Sequence, residues 1–229
     1  MLYPRASISA KRIMAVLNTE TSIENHPGNA QTDSGSGEHS VIFEHVDFVY
    51  PDGEEAVLKD ISFSAKSGET VAFIGSTGSG KSSLIQLIPR FYDRASGNIY
   101  IDGQKIEDLD INALRSKIGF VPQKAHLFSG TIEENIRFGK PDATMDEIIH
   151  AAKIAQAYDF IMEKPHQFQE QIVEGATNVS GGQKQRLSIA RALIRKPEIY
   201  IYDDSFSALD FKTDARLRKA LKPEIKNAI

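Results

Sequence analysis

The chain has 229 residues, enough for one large domain or two small ones, with 41% hydrophobic and 25% charged residues, an ordinary globular balance. Its 27 basic and 31 acidic residues leave a net charge of −4, which offers no electrostatic basis for nucleic-acid binding. Cysteine is absent, which excludes disulfides, thiolate zinc sites and a catalytic thiol, and no stretch approaches the roughly 18 apolar residues of a membrane helix.

The N-terminal stretch MLYPRASISAKRIMAVLN lacks a signal-peptide core, and Ile8, Met14 and Leu17 fall at helical spacing, predicting a short amphipathic helix over residues 6–17. Residues 19–39 are polar and rich in Gly, Ser, Asn and Thr, the texture of a flexible linker. The pattern then changes. VIFEHVDFVY and AVLKDISFSA alternate apolar and polar residues, as half-buried antiparallel strands do. VAFIG reads as a short strand buried on both faces, followed by a glycine-rich turn and a helix over KSSLIQLIPRFY. NIYIDG and KIGFVPQ read as strands, and residues 131–162 and 181–195 as mainly helical. IYIYDD is a further buried strand, and FKTDARLRKALK a last amphipathic helix. Strands alternating with helices around short apolar runs predict an α/β domain without internal repeats.

GSTGSGKS, residues 75–82, matches G-x-x-x-x-G-K-[ST] between a predicted strand and a predicted helix. The glycines let the backbone curl around phosphate oxygens, where successive N–H groups meet the positive end of a helix. On this reading Gly75, Ser76, Thr77, Gly78, Ser79, Gly80, Lys81, Ser82 and Ser83 bind ATP, with Lys81 directed at the β and γ phosphates and the Ser82 hydroxyl at Mg²⁺. The matching acidic residue is Asp203, at the end of IYIY. Two adjacent carboxylates beside a low-dielectric core are costly without a cation or proton, although Asp203 and Asp204 also suit a turn.

VSGGQKQRLSIARAL, residues 179–193, resembles the signature of ATP-binding-cassette (ABC) ATPases. Taken alone it is also a plain helix start, with Lys184, Arg186 and Arg191 as a solvated face. With the phosphate loop and Asp203, the resemblance covers essentially the whole chain. It implies a P-loop core with an antiparallel β subdomain and an α-helical subdomain (about 124–190) within a nucleotide-binding domain at 40–229. It further implies ATP and Mg²⁺ as ligands and two ATP molecules sandwiched between head-to-tail domains. Ser180, Gly181, Gly182 and Gln183 would act on the ATP of a second ABC domain. Tyr50 matches the aromatic that stacks on adenine, Gln123 the Q-loop glutamine that reaches Mg²⁺ and the attacking water, and Asp210 the D-loop aspartate. Residues 127–139 and Glu174 resemble exporter segments, and residues 1–18 the stretch that joins the last membrane helix to the ATPase domain. The implied setting is the cytoplasmic face of the cell membrane, in a multidrug or lipid-type exporter half whose membrane domain is absent from this sequence. No nucleic-acid partner is implied, which sets aside a DNA-repair or translation ATPase.

Two departures stand out. The residue after Asp203 is normally a glutamate that polarises water; here Asp204 occupies this catalytic position, one methylene shorter. The resemblance links that change to heterodimeric exporters, in which one subunit donates an intact signature to its partner and keeps a degenerate site; a regulatory subunit with little turnover is the alternative. The strand and switch-loop histidine expected after Asp210 are also absent from this sequence. In the family that strand lies between the phosphate-loop strand and the Asp203 strand, so a chain ending at Ile229 is expected to be marginally stable, aggregation-prone and nearly inactive.

Overall fold

The computed structural model describes residues 2–19, 21, 23–25 and 39–229. Most of the expected linker lies outside them, but Asn25 is described and docked: it donates to Asp110 Oδ2 (2.9 Å) and accepts from the Ile111 amide (3.0 Å). Helix α1 (Leu2–Leu17) begins earlier than its spacing predicts, because Pro4 is tolerated in a first helical turn. Its side chains from Ala6 onward are exposed, so among the described residues nothing covers the apolar face of Ile8, Ile13, Met14 and Leu17.

The alternating stretches form β1 (Ser40–Phe48) and β2 (Leu58–Lys66), antiparallel and regular from Ser40 with Lys66 to Phe43 with Phe63, with the register shifting before Val46–Ile61 and again before Phe48–Leu58. Alternation buries Val41 and Phe43, then a bulge shifts the phase so that Val46 and Phe48 are buried on the same face. Next in the chain come α2 (Lys81–Leu87), β3 (Ser96–Ile101) and β4 (Gln104–Lys105), and the first sheet has the order β2-β1-β3-β4. One expectation fails. Residues 71–75, VAFIG, form no strand: no ladder partner lies beside them among the described residues, Ile74 is 96% exposed, and only Phe73 is packed, edge-on against Phe63 at 5.0 Å. An apolar run becomes a strand only when a neighbour accepts and donates its backbone hydrogen bonds.

After the short helix α3 (Ile111–Ser116), β5 (Ile118–Val121) begins the second sheet. A small antiparallel pair, β6 (Gly130–Thr131) with β7 (Gln171–Ile172), brackets α4 (Ile132–Arg137), α5 (Met145–Ile154) and α6 (Tyr158–Met162). Helix α7 (Gly181–Leu193) leads into β8 (Ile199–Tyr202), which pairs with β5 in parallel, and α8 (Phe211–Glu224) follows. The start of β8 is also bonded on its far side: Ile229 donates to Glu198 O (3.0 Å) and accepts from the Tyr200 amide (2.7 Å). Two apolar cores result. One joins β1, β3 and α2 to Ile199 and Ile201; the other packs α4, α5, α7 and α8 together. Capping boxes start α4, α5 and α7, as the sequences T-I-E-E, T-M-D-E and S-G-G-Q dictate.

A buried cation ties the two sheets together. Lys117 Nζ, at the root of β5, reaches Asp102 Oδ2 after β3 (2.6 Å) and Glu198 Oε2 before β8 (2.7 Å), and His39 Nδ1 lies 3.2 Å from the same Glu198 oxygen. Burial would lower the Lys117 pKa, but its hydrogen bonds to the two carboxylates reverse this and raise it above the ordinary lysine value. The stabilisation from its charge is therefore complete below the unfolded lysine pKa and is lost as pH rises through the raised folded value. Replacing Lys117 by Met leaves Asp102 (side chain 4% exposed) without its cation. We expect a loss of about 3–5 kcal/mol in denaturant unfolding at neutral pH, with a double change to Lys117→Met and Asp102→Asn recovering part of it.

Candidate functional site

The phosphate loop precedes α2, with Gly80 at its N-cap in the left-handed region (φ 85°). A Cβ there would meet Leu58 Cδ2 at 2.9 Å, so backbone conformation and space both require glycine. Lys81 folds its ammonium back onto the loop, donating to Gly75 O (2.9 Å), Ser76 O (2.7 Å) and Ser79 Oγ (3.3 Å). The loop thus satisfies its own charge, and the exposed Thr77 and Gly78 form its outer rim. Ser83 is buried, and its hydroxyl lies 2.8 Å from that of Tyr50. That bond, with edge-on packing against Phe48 and Tyr92, fixes the Tyr50 ring beside the start of α2.

Residues far apart in sequence converge here. Ser82 Oγ donates to Asp203 Oδ1 at 2.9 Å, and Gln123 Nε2 donates to Asp204 Oδ2 at 3.2 Å. Asp203 is half-buried where β8 ends, its amide held by Val121 O (3.0 Å). Asp204 is exposed, with a left-handed backbone (φ 45°) that aspartate adopts more readily than most residues. A hydroxyl and a carboxylate 2.9 Å apart make a hard oxygen pair suited to Mg²⁺. The residues present fit that ion.

The signature residues stand at the head of α7. The Ser180 hydroxyl accepts from the Gln183 amide (3.2 Å), and Gln183 Oε1 accepts from the Ser180 amide (3.0 Å). Gly181 is exposed, and Gly182 lies so close to Ala208 O that an added Cβ would stand 3.1 Å from it. The helix start and the segment leading to Asp210 therefore pack on each other. Asp210 caps α8, and hydrogen bonds from Thr213 hold its pKa below the ordinary carboxylate value. Glu174 is exposed on a single 3₁₀ turn whose Gly175 carbonyl accepts from Lys184 (3.1 Å).

The solvated-face reading of α7 is corrected by its arginines. Arg191 donates to Asn135 O, Asn135 Oδ1 and His126 O at 2.8–2.9 Å, and Arg186 reaches Gln156 O (2.8 Å) while lying over Phe160 (4.7 Å). The sequence reading also passed over the buried Gln185, Asn135 and Ser205. The only available signal was a polar residue inside an apolar helical stripe, as Gln185 is beside Leu187 and Ile189.

Comparison with known proteins decides the class. The ABC transporter family model matches residues 58–207. The chain belongs to the ABC transporter family. It is 50% identical over 221 residues to the uncharacterized ABC transporter ATP-binding protein YfiB of Bacillus subtilis (strain 168), covering 96% of this chain and 38% of the relative. It is also 50% identical over 181 residues (79% of this chain, 31% of the relative) to a Staphylococcus aureus (strain NCTC 8325 / PS 47) protein provisionally named a multidrug export ATP-binding/permease protein. A solved bacterial Atm1-family ABC exporter with ATP bound superposes with a TM-score of 0.90 at 33% identity, over 98% of this chain and 39% of that one. The ABC chain thus spans under two-fifths of the length of these relatives, and its α/β fold with an antiparallel sheet and helical subdomain is that of an ABC ATPase domain.

Two substitutions test the cluster. Ser82→Ala removes the hydroxyl of the pair and Asp203→Asn its negative charge, and each is expected to weaken Mg²⁺-dependent ATP binding by at least about tenfold, roughly 1.4 kcal/mol. Titration calorimetry with and without Mg²⁺ checks this; unchanged Mg²⁺ dependence in both variants rejects the assignment.

Proposed function

We propose that this chain is the ATP-binding and ATP-hydrolysing part of a membrane exporter, working at the cytoplasmic face of the cell membrane. The reading rests chiefly on the Ser82–Asp203 contact beneath a complete phosphate loop, and the export names of its relatives support it. ATP binding draws the Lys81 ammonium from the Gly75 and Ser76 carbonyls to the β and γ phosphates, while the loop amides and the start of α2 hold the phosphate oxygens. Tyr50, fixed by Ser83, offers its ring to adenine. Ser82, Asp203 and Gln123 would hold Mg²⁺, whose charge neutralises the β and γ oxygens when bound.

Hydrolysis forms a bond from a water oxygen to the γ-phosphorus and breaks the bond to ADP; the proton leaving the water needs an acceptor. Asp204 stands where that acceptor belongs. Its carboxylate falls on the order of 1 Å short of a glutamate's reach, and such a misplacement can cost roughly a hundredfold in rate. Ser180, Gly181, Gly182 and Gln183, at a helix start whose Ser180 and Gly181 are exposed, would meet the γ-phosphate of a nucleotide on a second ABC domain, with Asp210 at the seam. We read the partner as a different subunit with glutamate at the base position, so this chain donates its signature to the competent site and keeps the weaker one. On this reading it works with a membrane domain, the part that the permease half of its relative's name describes.

The test is ATP turnover by this chain alone and mixed with a partner half carrying glutamate. Low turnover alone and high turnover in the mixture, abolished by Ser180→Arg, is the expected pattern; Asp204→Glu should raise turnover at this chain's own site by about tenfold or more. Fast turnover alone that ignores Asp204→Glu overturns the weak-site reading. ATP binding with no turnover in any mixture identifies a regulatory subunit instead.

A further inference from the structure

The segment carrying Gln123 is held at both ends by α7. Val121 O, where β5 ends, accepts from the Asp203 amide (3.0 Å) and from Ser205 Oγ (2.8 Å). The very next carbonyl, Pro122 O, accepts from Gln185 Nε2 (3.1 Å). Consecutive carbonyls are therefore gripped by two different bodies, the turn after β8 and the middle of α7. Both gripping side chains are buried, Ser205 at 1% exposure and Gln185 at 2%. Gln123 is the next residue, with its own amide on Asp204. Downstream, His126 O accepts from Arg191 Nη1 (2.9 Å). The Phe128 amide and carbonyl both bond Asn135, which Arg191 holds in turn.

We propose that Gln185 is a positioning residue for Gln123, and that α7 carries the Gln123 segment with it when the helix moves. Ser180 lies five residues before Gln185, roughly 7.5 Å along the axis, within a rigid stretch of one helix. A displacement at Ser180 reaches Pro122 O through the Gln185 amide, which among the described residues is the donor bonded to that carbonyl. Val121 O stays with β8, so the bend falls between residues 121 and 123 and changes where Gln123 stands relative to Asp203 and Asp204. Resting on the proposed function, this links the nucleotide met by Ser180 in the partner to the nucleotide held by this chain's own loop.

The chain contains no cysteine, so spin-label pairs can be placed by substitution in the full chain. Lys124→Cys with Lys105→Cys reads the Gln123 segment against the first sheet; Lys105→Cys with Lys212→Cys is the control for the fold. Without nucleotide, Gln185→Met and the isosteric Gln185→Glu are each expected to broaden and shift the 124–105 distance distribution while the 105–212 distribution stays unchanged. A general loss of packing would broaden both pairs. An unchanged 124–105 distribution in both variants overturns the proposal. A second measurement needs no change at Gln185: Lys124→Cys with Glu163→Cys reads the segment against the helical subdomain. On adding MgATP and the partner half, the 124–163 distance should hold while 124–105 shifts; the opposite pattern also overturns the proposal. If MgATP moves no pair, the nucleotide reading fails, and the nucleotide-free comparison still decides the role of Gln185.

Discussion

The four ladder positions from Ile118–Ile199 to Val121–Tyr202 bring side by side two strand ends, and the second residues beyond them, Gln123 and Asp204, are 81 positions apart in sequence. Parallel pairing makes both strands stop at the same edge, so the backbone groups just beyond them meet: the Asp203 amide and Ser205 hydroxyl close on Val121 O. Had the register slipped by one residue, Ile199 and Ile201 would exchange faces with Tyr200 and Tyr202, and Asp203 would no longer face Ser82. The buried Lys117 pins the opposite end of the same two strands to the first sheet, through Asp102 and Glu198. Register and cluster therefore depend on one another.

Ligand binding must compete with internal bonds at every part of the site. Lys81 is satisfied by loop carbonyls, Ser82 by Asp203, Gln123 by Asp204, and Ser180 by the Gln183 amide. Polar groups near a protein surface find partners in this way, and a phosphate or cation then exchanges those bonds for stronger charge-assisted ones.

Helix α7 serves two purposes that a solvated helix could not. Its apolar stripe, including Leu187, Ile189, Ala190 and Leu193, fills the core of the helical subdomain. Its polar residues bond backbone carbonyls of neighbouring segments: Gln185 on Pro122, Arg186 on Gln156 and Arg191 on His126 and on Asn135 of α4. The segments that carry these carbonyls are thereby fastened to one rigid rod.

Local chemistry made much of this legible in advance. The phosphate loop, the capping sequence S-G-G-Q, the apolar IYIY run ending in Asp203 and the alternation of β1 and β2 each encode their structure within a few residues, so their elements and the family were readable from the chain. Tertiary structure alone decided what depends on a distant neighbour. VAFIG, an apolar run like IYIY, stays irregular because among the described residues no strand lies beside it to complete its hydrogen bonds, whereas IYIY finds β5. The buried Lys117 bridge, the Ser83–Tyr50 bond and the grip of Gln185 on Pro122 O likewise join residues between 15 and 121 positions of separation from their partners, as does Ser82 with Asp203. A sequence pattern records which side chains prefer burial or a cap; which carbonyl or carboxylate stands opposite them is set only when the chain has folded.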